Sequence, residues 1–445
     1  MSKLKKISEY LIYLFIFLLP WQTIFIFQEK FINGFKWQQG TGAIFGTEII
    51  LWIVLVFQLV ILIKERIKNF SAQGGPAWGG QFSKTDKKKL FLALAIWVFL
   101  AWSLISLIWS SDKQVAFLSW FHLIEVVALF FIIISNKINL KRISFVIILS
   151  GVVQSLLAMW QFATQAIYAD KWLGISQHLP YQAGAYVIEG SFGRWLRAYG
   201  SFAHPNILAG FLAICFFCSI FMYINHKGKP RIFFLICNLI ISVGIFLSFS
   251  RGVWLAVIIS YLFWIFWEMK SRIKEKKETK YLFALSLALV LLIISLAIIF
   301  RPLLMSRLSG TDRLEVKSNT QRVNSLKQSW QIITGRESTG VGIGNYLPAL
   351  HQLEPNLPGW SYEPAHNIYL LIWAELGGFG LIIFLIIYGL IINRSWKQKN
   401  YLFVSLTLCL GIAGLFDHYF WTQYVGLVLW WLSWVFCSQS VIPEL

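Results

Sequence analysis

Four short stretches carry the side chains of this chain that can do chemistry. Arg194 and Arg197 stand just ahead of Gly200-Ser201-Phe202-Ala203-His204-Pro205-Asn206, and Arg251 sits inside Ser248-Phe249-Ser250-Arg251-Gly252. His366 and Asn367 follow Ala365, with Tyr369 one turn on, and Asp417 and His418 lie between Phe416 and Tyr419. Arginine keeps its charge at any relevant pH and grips phosphate oxygens with a planar fork that lysine lacks. Histidine titrates near neutrality and suits proton transfer. Each residue alone has a plain structural role open to it. Arg197 and Arg251 can anchor at the membrane interface, His366 can cap a helix, and Asp417 can cap the last one. It is their convergence on one side of a membrane, between apolar walls, that suits a phosphate-bearing lipid. A diphosphate leaving group needs its developing charge stabilised by arginine or by a metal. There is no D-x-D in the chain, and the nearest acidic neighbours outside are Asp312 and Glu315. No metal or other cofactor is therefore expected, and arginine takes that work.

The elements that must position these residues are membrane helices. The chain has 445 residues, of which 57% are hydrophobic and only 13% charged. A soluble domain of this size carries about 25% charged residues, so there are too few charges here to solvate a globule. Apolar runs of about 20 residues recur throughout, the length that crosses a bilayer as helix. Twelve spans are expected: 9–27, 44–63, 90–109, 117–134, 143–163, 205–224, 231–249, 252–269, 281–300, 367–392, 400–416 and 420–437. Lys3, Lys5 and Lys6 precede the first, but no small-residue cleavage site follows, so it reads as a retained span rather than a leader.

The net charge of +19 would ordinarily raise nucleic acid as a partner. Here the basic residues sit in short blocks between apolar runs, which is the pattern of cytoplasmic loops, and no nucleic acid is expected. With the N-terminus inside, 25 of the 39 Lys and Arg fall on inside segments. This predicts twelve helices with both termini cytoplasmic and all four stretches on the other face. The five cysteines lie within apolar runs and read as packing residues, Cys215-x-x-Cys218 included.

Two outside segments are long, at 164–204 and 301–365, and long loops are commonly functional. The second holds an amphipathic helix candidate, Thr320–Thr334, with Val323, Leu326, Trp330 and Ile333 on one face. Such a helix lies on the bilayer or lids a cavity. Gly340, Gly342 and Gly344 follow it in a spacing that is poor for a nucleotide loop. The stretch 72–83 is Gly/Gln-rich and reads as a cytoplasmic linker. The whole chain, 1–445, reads as one integral membrane domain.

GSFAHPNILAGF (200–211), SFSRGVWLA (248–256), TGVGIGNY (339–346), AHNIYLLIWAELGGFGL (365–381) and FDHYFW (416–421) together resemble the O-antigen ligase and O-antigen polymerase superfamily. The resemblance implies a multi-helix membrane fold with a large extracytoplasmic loop before the His-bearing helix. It implies transfer of a glycan from an undecaprenyl-diphosphate-linked donor to an acceptor hydroxyl, inverting and without metal, in the bacterial plasma (inner) membrane. On that resemblance Arg197 and Arg251 are diphosphate ligands, His366 the base on the acceptor hydroxyl, and Asp417 a supporting acid residue. Arg322, in an R-x7-W stretch, resembles a further family arginine. Arg194, His204, Asn206, Asn367 and Tyr369 complete the expected substrate-binding set. His204 departs from the family pattern, where a small or polar residue is usual.

Glu375 is not expected to work with His366. Nine helical residues place it half a turn out of phase and about 13.5 Å deeper, so it reads as structural. The acceptor stays open: a lipid (ligase), a growing glycan (polymerase) or a protein. A transporter or flippase would share the span count but predicts midplane charges and pseudo-symmetric halves. The outside charges here cluster at helix ends, and no internal repeat is visible.

Overall fold

A computed structural model describes residues 2–73, 84–272 and 276–439. Most of the expected linker at 72–83 lies outside the described residues. The helices in chain order are α1 (Ser2–Leu18), α2 (Gly46–Gln73), α3 (Lys84–Ile105), α4 (Lys113–Ser135), α5 (Leu140–Thr164), α6 (Pro205–Ile224), α7 (Lys229–Leu247), α8 (Arg251–Arg272) and α9 (Lys276–Ile299). Then come α10 (Arg301–Ser309), α11 (Arg313–Ile333), α12 (Tyr346–Leu353), α13 (Ile368–Lys397), α14 (Tyr401–Ala413), the short α15 (Tyr419–Thr422) and α16 (Tyr424–Ser438). Among the described residues nine of these are long and apolar enough to cross a membrane: α2 to α9 and α13. The chain is an all-α multi-pass membrane protein. The remaining expected spans correspond to shorter helices, α1 at 17 residues, α14 at 13 and α16 at 15.

The first expected span, 9–27, runs too far. Its helix stops at Leu18, close before Pro20, and the β-branched and aromatic run Ile24–Gln28 forms a strand, β1. β1 pairs antiparallel with β4 (Gly42–Phe45), around a small hairpin of β2 (Phe31–Ile32) and β3 (Phe35–Lys36). A third hairpin, β5 (Val187–Gly190) with β6 (Gly193–Leu196), lies in the 164–204 segment.

The core forms around α6, which is apolar on every side and buried along nearly its whole length. It packs on α5, α7, α8, α14 and α16, while α13 packs on α3, α14 and α16. The first residues of α6, α8 and α13 and the last of α7 and α14 therefore meet at one end of the bundle. α11 lies across that end against α12 and α13.

α13 is broken on purpose. Gly377 has φ +70°, and a Cβ there would lie 2.1 Å from the Ser338 carbonyl oxygen. The break frees carbonyls that an unbroken helix would use itself. The Ala374 and Glu375 oxygens accept instead from the amides of Val341 and Gly342, at 2.9 and 2.8 Å, and Leu376 accepts from Trp102 Nε1 at 2.7 Å. The Gly-rich stretch is thus a clamp on a helix. Glu375 is part of the same clamp: its carboxylate accepts from the Gly344 amide and from Trp421 Nε1.

Candidate active site

His366 ends the loop ahead of α13, and Asn367 caps that helix by accepting from the amides of Tyr369 and Leu370. The fold brings the imidazole between two carboxylates. Its Nδ1 lies 3.8 Å from Asp417 Oδ1 and its Nε2 lies 3.9 Å from Glu363 Oε2. These are ion-pair separations, longer than hydrogen bonds, and Nδ1 is buried without a hydrogen-bond partner. Burial pulls the imidazole towards neutrality, but Asp417 and Glu363 more than offset it and hold the pKa up at about 9. His366 is an imidazolium at neutral pH in this arrangement. Burial would by itself raise Asp417, yet the neighbouring His366 imidazolium holds the carboxyl well below the usual range.

A line of hydrogen bonds fixes Asp417. Asn206, in the first turn of α6, donates from Nδ2 to Asp417 Oδ2 at 2.5 Å. Its own Oδ1 accepts from Arg197 Nη2 at 2.7 Å, and Arg197 Nε donates to the Ser248 carbonyl at 2.8 Å. Arg197 is only 4% exposed, and burial lowers its pKa. Three distant segments (the strand before α6, the end of α7 and the turn after α14) are locked together through this one guanidinium.

A second group lies beside it. Arg251, the first residue of α8, donates to the Arg307 carbonyl at 3.1 Å and to Asn319 Oδ1 at 3.2 Å, and pairs with Glu315 at 3.0 Å. Arg307 donates from Nε to the Phe249 carbonyl and pairs with the same Glu315. Arg322, on the buried face of α11, has an Nε that is buried and lacks any hydrogen-bond partner. Burial lowers its pKa, Asp417 raises it and Arg251 lowers it again, so it stands within the field of both groups.

The structure gathers Arg197, Asn206, Arg251, Arg322, His366 and Asp417 of the expected residues. The others have different work. Arg194 belongs to the β5–β6 hairpin, donating to the Pro180 carbonyl and facing Glu189 at 3.5 Å. Tyr369 donates to the Gly411 carbonyl and so ties α13 to α14. His204 caps α6: its Nδ1 accepts from the Asn206 amide, its ring stands edge-on to Tyr186, and burial keeps it neutral. His418 is also held neutral by burial, down at about 4.

Sequence reasoning missed Arg307, Glu363 and the role of Glu315. Nothing in the local pattern marks Arg307 or Glu315, since their pairings cross from α10 to α11 and from α8 to α11, whereas Glu363 stands three residues ahead of His366, a spacing that could have pointed to it. Among the described residues two sets could hold a metal ion, His366–Asp417–His418 and Glu48–His122–Glu125, each with ligand atoms within 4.8 Å of one another. The first is the acid–imidazole group itself. The second lies in α2 and α4.

α11 also borders a cavity of about 370 Å³, whose lining includes Gln321, Asn324, Gln328, Gln331, Glu354, Ser361, Glu363 and His366. The expected helix at 320–334 thus begins earlier, at Arg313, and does line a cavity. Val323, Leu326 and Trp330 stay exposed, whereas Ile333 is buried.

A search of curated proteins finds no match to the chain. Residues 236–385 match the family model described as O-antigen ligase, a stretch that holds Arg251, Arg307, Glu315, Arg322, the glycine clamp and His366 but not Arg197 or Asp417. Over that stretch, about a third of the chain, the sequence is similar to the O-antigen ligase family.

Proposed function

We propose that the chain transfers a glycan from an undecaprenyl-diphosphate-linked donor to an acceptor hydroxyl at the extracytoplasmic face of the bacterial inner membrane. The observation that carries this reading is the surplus of positive charge around a proton-transfer group. Four arginines (Arg197, Arg251, Arg307, Arg322) and the His366 imidazolium face three carboxylates, Glu315, Glu363 and Asp417. A diphosphate fits that balance. Arg322, with its unpartnered Nε, and Arg251, the more exposed arginine of the Glu315 group, take the phosphate oxygens and the charge that builds on the leaving group. Arg197 acts through Asn206, holding Asp417 where it faces His366.

His366 takes the proton of the acceptor hydroxyl at Nε2 as that oxygen attacks the anomeric carbon and the bond to the diphosphate breaks. Asp417, on the Nδ1 side, steadies the charge the ring then carries. The neutral ring is the minor form at pH 7, so the reaction draws on a small fraction of a strong base. The reading places both termini in the cytoplasm, and the helix ends that carry the site all lie at the opposite end of the bundle.

The test is in cells. Removing the protein should make an undecaprenyl-linked glycan accumulate while a surface glycoconjugate disappears. Wild type should restore both, and His366→Ala, at equal protein level, neither. Normal surface glycan without the protein, or full rescue by His366→Ala, sinks the proposal.

A further inference from the structure

Two carboxylates and an imidazole face one another inside the helix bundle. Glu48 stands in the first turn of α2, while His122 and Glu125, spaced i, i+3, share one face of α4. Glu48 and Glu125 are each only 2% exposed. One ligand atom from each of the three residues lies within 4.8 Å of the others. A single N–H holds each carboxylate: Glu48 Oε2 accepts from the Phe45 amide at 3.0 Å, and Glu125 Oε1 accepts from Trp52 Nε1. The second oxygens are left over. Glu48 Oε1 lies 3.6 Å from His122 Nε2, too far for a hydrogen bond, and Glu125 Oε2 is buried with no hydrogen-bond partner. Tyr424, whose ring stacks on Phe45 and lies 5.2 Å from that of His122, also has a buried hydroxyl without a partner. Among the described residues neither carboxylate pairs with a lysine or an arginine.

We propose that Glu48, His122 and Glu125 hold one divalent cation of the zinc class, which ties α2 to α4. The proposal does not rest on the transferase reading, in which arginines carry the charge of the diphosphate. Two carboxylates buried this close repel one another, and such a pair inside membrane helices is costly unless a cation or a proton sits between them. With a neutral imidazole beside them the cluster holds two negative charges, which a dication cancels. The donor set selects the ion. Magnesium and calcium take oxygen ligands, and copper(I) prefers sulfur. Zinc takes carboxylate oxygen and imidazole nitrogen together. Histidine and glutamate at i, i+3 is also a spacing at which helix bundles present both to one metal. The Phe45 amide and Trp52 orient the two carboxylates, the kind of support that metal-ligating groups ordinarily have. Ligands about 2.0–2.2 Å from a tetrahedral ion stand roughly 3.4 Å apart, so loading draws the three side chains together by about 1 Å. Three protein ligands leave one position for water. A cavity of about 60 Å³ reaches His122, Ser119 and Tyr424 and has room for it.

The experiment uses the full chain, untagged and in detergent micelles, stripped with EDTA and titrated with Zn²⁺ alone. One zinc per chain by elemental analysis is expected, with a melting midpoint above that of the stripped protein. Co²⁺ in its place should give the visible absorption of a tetrahedral site. Trp52→Phe removes only a support and should weaken zinc binding roughly 10–100-fold. Glu125→Gln keeps an oxygen for Trp52 but removes a ligand, so its loss should be larger still. Glu48→Gln stands in if Glu125→Gln fails to fold. His418→Ala, which strips a ligand from the other candidate set, should leave binding in place. Zinc binding that survives both glutamine variants, or that is lost in His418→Ala, overturns the proposal. So does a stripped chain that takes no zinc, which would mean that the carboxylates share a proton, or one that takes Mg²⁺ or Ca²⁺ instead. Zinc bound by a chain that transfers no glycan supports the proposal and counts against the transferase reading alone.

Discussion

Replacing Asp417 by asparagine removes the carboxylate nearest His366 and keeps a side chain that can still accept from Asn206. Unit charges 3.8 Å apart interact by about 4 kcal/mol at an effective dielectric of about 20. At about 1.4 kcal/mol per pKa unit that is roughly 3 units. His366 stands at about 9 in the wild type, so in Asp417→Asn it should fall to about 6, with Glu363 as the remaining partner. The assay is the pH dependence of kcat/KM for glycan transfer. Wild-type kcat/KM should climb about tenfold per pH unit and level off near 9, because the neutral imidazole is the working form. The variant should level off near 6. The value at pH 7 should change less than the shape, since the variant has more neutral imidazole but a weaker base. A limb in the same place in both proteins would show that another group titrates. A rate that falls as pH rises towards 9 would show that His366 works as the imidazolium, and the base assignment would go.

Arg251→Lys and Arg322→Lys keep charge and lose the fork, and each should lower turnover on the order of 10²–10³-fold at unchanged protein level; near-normal rates would make them interfacial anchors. Asn206→Leu leaves Asp417 without its 2.5 Å donor, costing about 1.5–3 kcal/mol. It should reduce kcat with the donor KM held, whereas an equal rise in donor KM would place Arg197 and Asn206 on the diphosphate. Gly377→Ala sets a Cβ 2.1 Å from the Ser338 oxygen at φ +70° and should destabilise the chain by more than the roughly 1–2 kcal/mol of the backbone conformation alone, read as a lower melting midpoint in micelles; an unchanged midpoint refutes the clamp. His366 is raised above its ordinary 6.5, so its share of stability is complete below that pH and is lost as pH rises through about 9. Asp417 is depressed from 3.8, so its share is present above that value and is lost on acidification. The midpoint should therefore fall between pH 6.5 and 9, and that fall should be much smaller in Asp417→Asn.

The spans were legible because a bilayer imposes length and hydropathy on nearly every residue of a helix, and twenty apolar residues are hard to mistake. The start of the chain was misread where that constraint weakens. Ile24–Gln28 is as apolar as a span but β-branched and aromatic, and only its pairing with Gly42–Phe45 decides between helix and strand. The residue types of the candidate site were legible, as with Arg251, Arg322 and His366, which the fold brings to one end of the bundle. It was not legible where the role depends on a partner far along the chain. Arg197 reads as a phosphate ligand from its type, whereas its bonds to Asn206 and to the Ser248 carbonyl depend on the fold. Arg194 lies three residues earlier, and the alternation of β6 sends it to Glu189 instead. Glu375 was rightly set apart from His366 by helix geometry, but its actual partners depend on the break at Gly377, which no periodicity reveals.

The most direct measurement is reconstitution of the purified chain in proteoliposomes with an undecaprenyl-diphosphate-linked glycan and a saccharide-bearing acceptor lipid. The products to follow are glycosylated acceptor and free undecaprenyl diphosphate. Wild type should release the two in equal amounts, Arg251→Lys should do so far more slowly, and His366→Ala should lose about 10²–10⁴ in rate while still binding the donor. Movement of the intact lipid-linked glycan across the bilayer with neither product formed, or undiminished transfer by His366→Ala, would contradict the account.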